Sequence, residues 1–190
     1  MKSEEALKKL LDGNKRYVAG TPKNTVVSDE LRVNLYKNGQ RPYAAILGCS
    51  DSRVPVETIF DAGPGELFVI RTAGNVASQF DIGSIEYAVM ALKVPLVLVL
   101  GHQKCGAVRA ALEGGEFTQP IEAIAKEIIS CMPELPFGDD KHTVLENANI
   151  RHTMSKIAAS PYIAKTVSEG ALRLAAAKYS LETGKVSFFE

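Results

Sequence analysis

Apolar residues recur along the chain with two spacings, one typical of buried strands and one typical of helices. Residues 94–100, VPLVLVL, form the strongest strand pattern and are too continuously apolar for a strand with one solvent face. Shorter apolar runs predict strands over residues 43–47 and 67–70. Helical spacing predicts helices over residues 4–18, 84–92, 107–112, 121–132, 144–159 and 161–169, and a short one around residues 28–37.

The end of the chain carries a different pattern. Residues 171–179 and 185–189 are predicted to form a hairpin across the turn at residues 182–184. Buried strands that alternate with helices indicate an α/β fold, with a central, mostly parallel β-sheet flanked by helices. The chain contains no repeat or low-complexity tract, so we expect a single domain over residues 1–190 that begins with an N-terminal helical arm over residues 1–40.

Composition narrows the classes of partner. Lysine plus arginine and aspartate plus glutamate number 22 each. The chain therefore has no excess of positive charge with which to bind nucleic acid or an anionic membrane. No stretch approaches the roughly 20 apolar residues of a membrane span, and the first residues lack the apolar core of a signal peptide. We therefore expect a cytoplasmic protein without nucleic acid or membrane partners, whose three cysteines are free thiols or metal ligands.

Metal-ligating residues follow two of the predicted strands. His102 and Cys105 come after the strand at residues 94–100, and Cys49 comes after the strand at residues 43–47. Because parallel sheets bind ligands beyond the carboxyl ends of their strands, we expect these three side chains to converge. Two thiolates and one imidazole suit zinc, and a catalytic zinc keeps its fourth coordination position for water or substrate.

Asp51 and Arg53 lie two residues apart in the loop after Cys49. An arginine can hold a carboxylate through paired hydrogen bonds, which would keep Asp51 ionised and stop it from becoming the fourth zinc ligand. Taken alone, the pair could equally be a loop ion pair that braces the chain before Pro55. Its position beside Cys49 favours the functional interpretation.

Three further residues are weaker candidates. Cys131 could close the zinc site, but it lies in the apolar pattern of a helix, where a buried thiol is the commoner case. A site closed by Cys131 or by Asp51 would indicate a zinc-stabilised binding or regulatory protein without catalysis. His142 and His152 lie in polar, helix-flanking sequence and are expected to face solvent.

Together these motifs resemble those of the β-class carbonic anhydrases. The two metal segments read CSDSRVP from Cys49 and GHQKCGA from Gly101. Supporting matches such as LLDGN, PGELF, RTAGN and EYAV extend the resemblance over essentially the whole chain. Ile46 stands where one subgroup of the family carries a tryptophan, and the chain contains none, so the plant-like subgroup is expected.

The resemblance implies roles for individual residues. Cys49, His102 and Cys105 correspond to the ligands of one zinc ion per chain, while Asp51 and Arg53 correspond to the catalytic pair. The implied substrate-binding residues are Gln40, Phe68, Ala73, Tyr87 and Gly106. Gln40 corresponds to a glutamine that hydrogen-bonds substrate across a dimer interface. Ala73 stands where the family often has valine.

The resemblance also implies an activity and an assembly. The activity is reversible hydration of carbon dioxide to bicarbonate and a proton by a hydroxide held on zinc, and turnover should be faster on the alkaline side because two thiolates make zinc less acidifying. The alternative on the same scaffold is a hydrolase of carbonyl sulfide or carbon disulfide. The implied assembly is a homodimer, or a dimer of dimers, in which the N-terminal arm packs on the partner.

Overall fold

The predicted strands assemble into one five-stranded sheet in this computed structural model, which describes residues 1–24, 26–134 and 140–189. The sheet order is β2-β1-β3-β4-β5; the first four strands are parallel, and β5 is antiparallel to β4. This confirms the α/β fold and the terminal hairpin, and it makes β4 the fourth parallel strand. The strands are β1 Ala44–Cys49, β2 Leu67–Thr72, β3 Leu96–His102, β4 Arg173–Tyr179 and β5 Val186–Phe188.

Helices connect the strands and cover both faces of the sheet. A short 3-10 helix, Ala73–Asn75, follows β2. Within the described ranges, no helix combines the length and apolar content needed to cross a bilayer. The α-helices are α1 Ser3–Val18, α2 Asp29–Asn38, α3 Val56–Ile59, α4 Gln79–Met90, α5 Gly106–Glu113, α6 Gln119–Ile129, α7 Lys141–Ala158 and α8 Pro161–Ser168.

The continuous apolar runs arise because the sheet is buried on both faces. On one face Ile46 and Leu98 pack in a core with Leu10 of α1. On the other face Val99 packs in a second core with Ile150 of α7. Alternate residues of each central strand therefore enter different cores, and an alternating pattern is not expected.

Several element boundaries differ from the predictions, and one short helix was not predicted. β1 and β3 continue past the predicted ends, because Cys49 pairs with Thr72 and His102 pairs with Tyr179 in the ladders of neighbouring strands. α4 begins five residues before the predicted start, where the Asp81 carboxylate accepts the backbone N–H of the residue before the helix at 2.8 Å. α3, which has four residues, is too short to show a period and was not predicted.

The first helix packs on its own chain. The Asn14 side chain donates to the carbonyl oxygens of Ile59 at 3.2 Å and Gly184 at 2.9 Å, and it accepts the backbone N–H of Val186 at 2.9 Å. In contrast, α2 buries none of its residues. The contact of residues 1–40 with a dimer partner stays a prediction. Within this segment, α2 has the exposed surface that such a contact could use.

Candidate metal centre

The metal cluster lies where the order of the parallel strands reverses. The chain passes from β1 to β2 on one side and returns to β3 on the other, and ligand sites of α/β sheets form at such points. Cys49 is the last residue of β1, His102 is the last residue of β3, and Cys105 directly precedes α5. Their ligand atoms all lie within 4.8 Å of one another, and all three residues are buried. The structure thus brings together the three predicted ligands.

The histidine is oriented for metal binding. Its Nδ1 lies 2.8 Å from the carbonyl oxygen of Gln103, which can only accept, so Nδ1 carries the proton and Nε2 carries the lone pair. Nε2 is buried and has no hydrogen-bond partner among the described residues. Such an unpaired buried nitrogen costs free energy, which a bound metal would recover. His102 therefore fits a metal ligand in its position and in its tautomer.

The two cysteines complete a donor set that fits zinc. Their sulfurs are 4.0 Å apart, close to the separation of about 3.8 Å expected for two thiolates on one tetrahedral zinc. Cys105, His102 and the backbone N–H of Gly74, which is 3.3 Å from Sγ, lower the pKa of the Cys49 thiol. The pKa of Cys105 is raised, because its thiol hydrogen-bonds to the Cys49 sulfur, is buried, and would place a second negative charge beside Cys49. A divalent cation would allow both thiols to ionise.

Asp51 is held beside the cluster by Arg53. The Arg53 side chain donates from Nε to Oδ1 at 2.9 Å and from Nη2 to Oδ2 at 2.7 Å, and its backbone N–H donates to Oδ1 at 2.9 Å. These hydrogen bonds hold the pKa of the Asp51 carboxyl well below its usual range. Oδ2 lies 3.9 Å from Nε2 of His102, so the carboxylate faces the cluster.

The pair also braces the segment between the second and third ligands. Nη2 of Arg53 donates to the carbonyl oxygen of Lys104 at 3.1 Å. The two interpretations of the Asp51–Arg53 pair are therefore compatible, because the same guanidinium holds the carboxylate and contacts the loop.

Supporting residues around the cluster were not predicted. Arg71 of β2 donates to the carbonyl oxygens of Cys49 at 2.9 Å and Asp51 at 2.6 Å. Asn149 of α7 donates to the carbonyl oxygen of Gly74 at 2.7 Å, which holds the loop whose N–H contacts Cys49. Arg71 and Gly74 belong to the RTAGN motif, but no pattern in the sequence joins Asn149 to a residue 75 positions earlier.

The weaker candidates lie outside the cluster. Cys131 follows the end of α6 instead of lying within it, is half-buried, and donates to the carbonyl oxygen of Ile128 at 3.0 Å. Among the described residues it is not grouped with the three predicted ligands. His142 is exposed, as predicted. The same prediction is wrong for His152, which is half-buried because its Nε2 lies 3.0 Å from the Glu127 carboxylate.

Comparison with known proteins agrees with this geometry. A family model described as carbonic anhydrase matches residues 44–186. Carbonic anhydrase 2 of Mycobacterium tuberculosis is 39% identical over 95% of this chain and 89% of its own length. A solved β-carbonic anhydrase of Coccomyxa, in complex with acetazolamide, is 26% identical with a TM-score of 0.76, over 96% of this chain and 86% of that one. The chain belongs to the β-carbonic anhydrase family.

Membership confirms the resemblance, the fold and the enzyme class. A tetrameric β-carbonic anhydrase of Sordaria macrospora shares the fold at a TM-score of 0.75 and 22% identity, over 97% of both chains. β-Carbonic anhydrases are lyases that hydrate carbon dioxide, so the chain is an enzyme of that class.

The five residues expected to bind substrate fall into two groups in this β-carbonic anhydrase. Ala73 follows β2 and Gly106 follows Cys105, and both are exposed at the metal edge of the sheet. Gln40 precedes β1, at the opposite edge of the sheet, and is exposed. Phe68 lies four residues before the end of β2, which is about 13 Å along the strand. Its ring centroid is 6.1 Å from that of Tyr87, so the two aromatic residues lie together. Gln40, Phe68 and Tyr87 therefore do not reach the metal cluster of their own chain.

Proposed function

We propose that this β-carbonic anhydrase hydrates carbon dioxide reversibly at one zinc ion per chain, held by Cys49, His102 and Cys105. The observation that carries the proposal is the Nε2 of His102, which is buried and has no hydrogen-bond partner among the described residues. It lies beside the sulfurs of Cys49 and Cys105, which are 4.0 Å apart. Zinc bound there would supply a Lewis acid that makes water a strong nucleophile near neutral pH. The names of the relatives support carbon dioxide over carbonyl sulfide or carbon disulfide as the substrate.

Asp51 and Arg53 would act as the catalytic pair. The lowered pKa of Asp51 keeps the carboxylate ionised, so it can accept a hydrogen bond from the attacking water and aim the oxygen lone pair at carbon. Arg53 restrains the carboxylate through two side-chain hydrogen bonds and so keeps the fourth coordination position open. This restraint, together with Ile46 and the lack of tryptophan, supports the plant-like subgroup.

We propose that the active assembly is a homodimer or a dimer of dimers. Gln40, Phe68 and Tyr87 can contribute to a substrate pocket beside zinc only if a second copy brings them there. Exposed aromatic side chains support such an interface: Tyr36 is 89% exposed and Phe80 is 87% exposed. Each chain would form one domain over residues 1–190. The three free cysteines support the reducing, cytoplasmic location that we propose.

Stopped-flow hydration of carbon dioxide by the zinc-loaded protein and its Asp51→Asn variant tests the proposal. We expect activity that rises with pH in the wild type and a loss of roughly 100-fold or more in the variant, with zinc content unchanged. Asp12→Asn is the control, because this carboxylate forms a surface ion pair with Lys8 and should not affect turnover.

The possible failures are distinct. A zinc-loaded wild type without activity at any pH would contradict the proposed function. Equal activity in the wild type and in Asp51→Asn would contradict a catalytic role for Asp51.

A further inference from the structure

The backbone between the second and third proposed ligands is held from several sides. Lys104 has a φ of +52°, a left-handed conformation that a residue with a side chain rarely adopts. The backbone N–H of Gln103 donates to the carbonyl oxygen of Tyr179 in β4 at 3.0 Å. A segment that keeps an unfavourable conformation must be held there by its surroundings. The backbone N–H of Cys105, at the end of this segment, is held by a side chain.

That side chain is Glu146 of α7, a carboxylate buried beside the cluster. Oε1 accepts the backbone N–H of Cys105 at 3.2 Å, and Oε2 lies 2.7 Å from Nζ of Lys178. The Glu146 side chain is 4% exposed and the Lys178 side chain is 12% exposed. Lys178 lies on β4 directly opposite Gly101, the residue before the histidine ligand. Each oxygen of this carboxylate therefore serves one donor.

We infer that Glu146 and Lys178 form a positioning pair that fixes the Cys105 thiol for metal binding. The inference rests on the proposed zinc site. Cys105 precedes the first turn of α5, where backbone N–H groups lack helical partners, and its backbone hydrogen bond fixes the start of the helix and the direction of Sγ. Lys178 holds the second oxygen and so fixes the plane of the carboxylate. Residues that orient metal ligands in this way typically change metal affinity 10- to 100-fold when they are replaced.

Glu146→Gln separates positioning from simple burial. Glutamine keeps the shape of glutamate but has only one acceptor oxygen, for which the Cys105 N–H and the Lys178 ammonium compete. The ammonium should take the oxygen, because charge-assisted hydrogen bonds are the stronger ones, and the amide NH2 then faces the Cys105 N–H. Adding Lys178→Met removes the competitor, so the glutamine oxygen can return to Cys105.

The experiment measures zinc affinity by competition with a chromophoric chelator for the wild type, Glu146→Gln, Lys178→Met and the double variant. The thiolate-to-cobalt absorption band of the cobalt-loaded proteins reports the ligand geometry. We expect Glu146→Gln to bind zinc about 10- to 100-fold more weakly, with an altered cobalt band. We expect the double variant to recover most of that loss.

Asp61→Asn is the matched control, because it changes another buried carboxylate that pairs with Arg16 away from the cluster. It should lower stability towards urea in the metal-free protein and leave zinc affinity unchanged. Wild-type zinc affinity in Glu146→Gln, or a double variant that binds no more tightly than Glu146→Gln, would overturn the inference alone. A wild type that does not bind zinc would instead refute the proposed function, and the inference with it.

Discussion

Replacing Gly13 with alanine tests how α1 packs on its own chain. A Cβ at Gly13 would lie 1.9 Å from the carbonyl oxygen of Phe60 and 2.7 Å from the carbonyl carbon, and this backbone cannot turn away as a side chain could. Alanine is the better helix former by about 1 kcal/mol, so helix propensity and the contact act in opposite directions.

The contact decides the sign of the effect. To reach an ordinary carbon–oxygen separation, α1 must move by about 1.4 Å or more. The neighbouring Asn14 makes three hydrogen bonds of 2.9–3.2 Å that such a shift would break or lengthen. Overpacking costs about 1–3 kcal/mol and each hydrogen bond contributes about 0.5–1.5 kcal/mol. After the gain in helix propensity, we expect the free energy of unfolding to fall by about 1.5–6.5 kcal/mol, the upper end applying if all three hydrogen bonds are lost.

Urea unfolding followed by circular dichroism measures this loss. Gly83→Ala is the matched control, because Gly83 lies inside α4 and an added Cβ meets nothing within 4 Å apart from its chain neighbours and the backbone of its own helix. The control should be stabilised, by at most about 1 kcal/mol. A Gly13→Ala protein as stable as the wild type would refute the close approach of α1 to the Phe60 backbone.

Asp61 and Arg71 provide two further tests. Burial would raise the pKa of Asp61, but the backbone N–H of Asn24 and the Arg16 guanidinium outweigh it and lower the pKa. The carboxylate therefore stabilises the fold fully above the ordinary aspartate pKa of about 3.9, and this contribution is lost as pH falls through the lowered pKa. The difference in urea stability between the wild type and Asp61→Asn should be constant near neutral pH and shrink in acid; a difference that persists in acid would contradict this. Arg71→Met should lower carbon dioxide turnover about 10-fold or more, because it releases two carbonyl groups beside the cluster, while the exposed Arg109→Met should not. Equal turnover in the two variants would contradict the role of Arg71.

The fold could be predicted from sequence where its signal is local. The run at residues 94–100 marks a strand buried on both faces, and the parallel sheet follows from its alternation with helices. The ends of the strands depend on pairing with neighbours, so the continuation of β1 to Cys49 and of β3 to His102 could not be seen.

The residues of the site were likewise predictable where the signal is local, and not where tertiary packing alone joins them. The Asp51–Arg53 pair was predictable because its members are two residues apart, and the three ligands were predictable because they follow the ends of two strands. Glu146 is 41 positions from Cys105 in sequence, within α7, and only tertiary packing brings the two together. The error at His152 has the same cause, since its partner Glu127 lies 25 positions away on another helix.

Returning zinc to the metal-free protein while measuring carbon dioxide hydration by stopped flow tests the central claim most directly. Cys131→Ser serves as the control, because Cys131 lies outside the proposed ligand set. We predict negligible activity without metal and a linear rise that ends at one zinc per chain, with the same end point in the control. Full activity in the metal-free protein, or zinc-dependent activity that is lost in Cys131→Ser, would contradict a catalytic zinc on Cys49, His102 and Cys105.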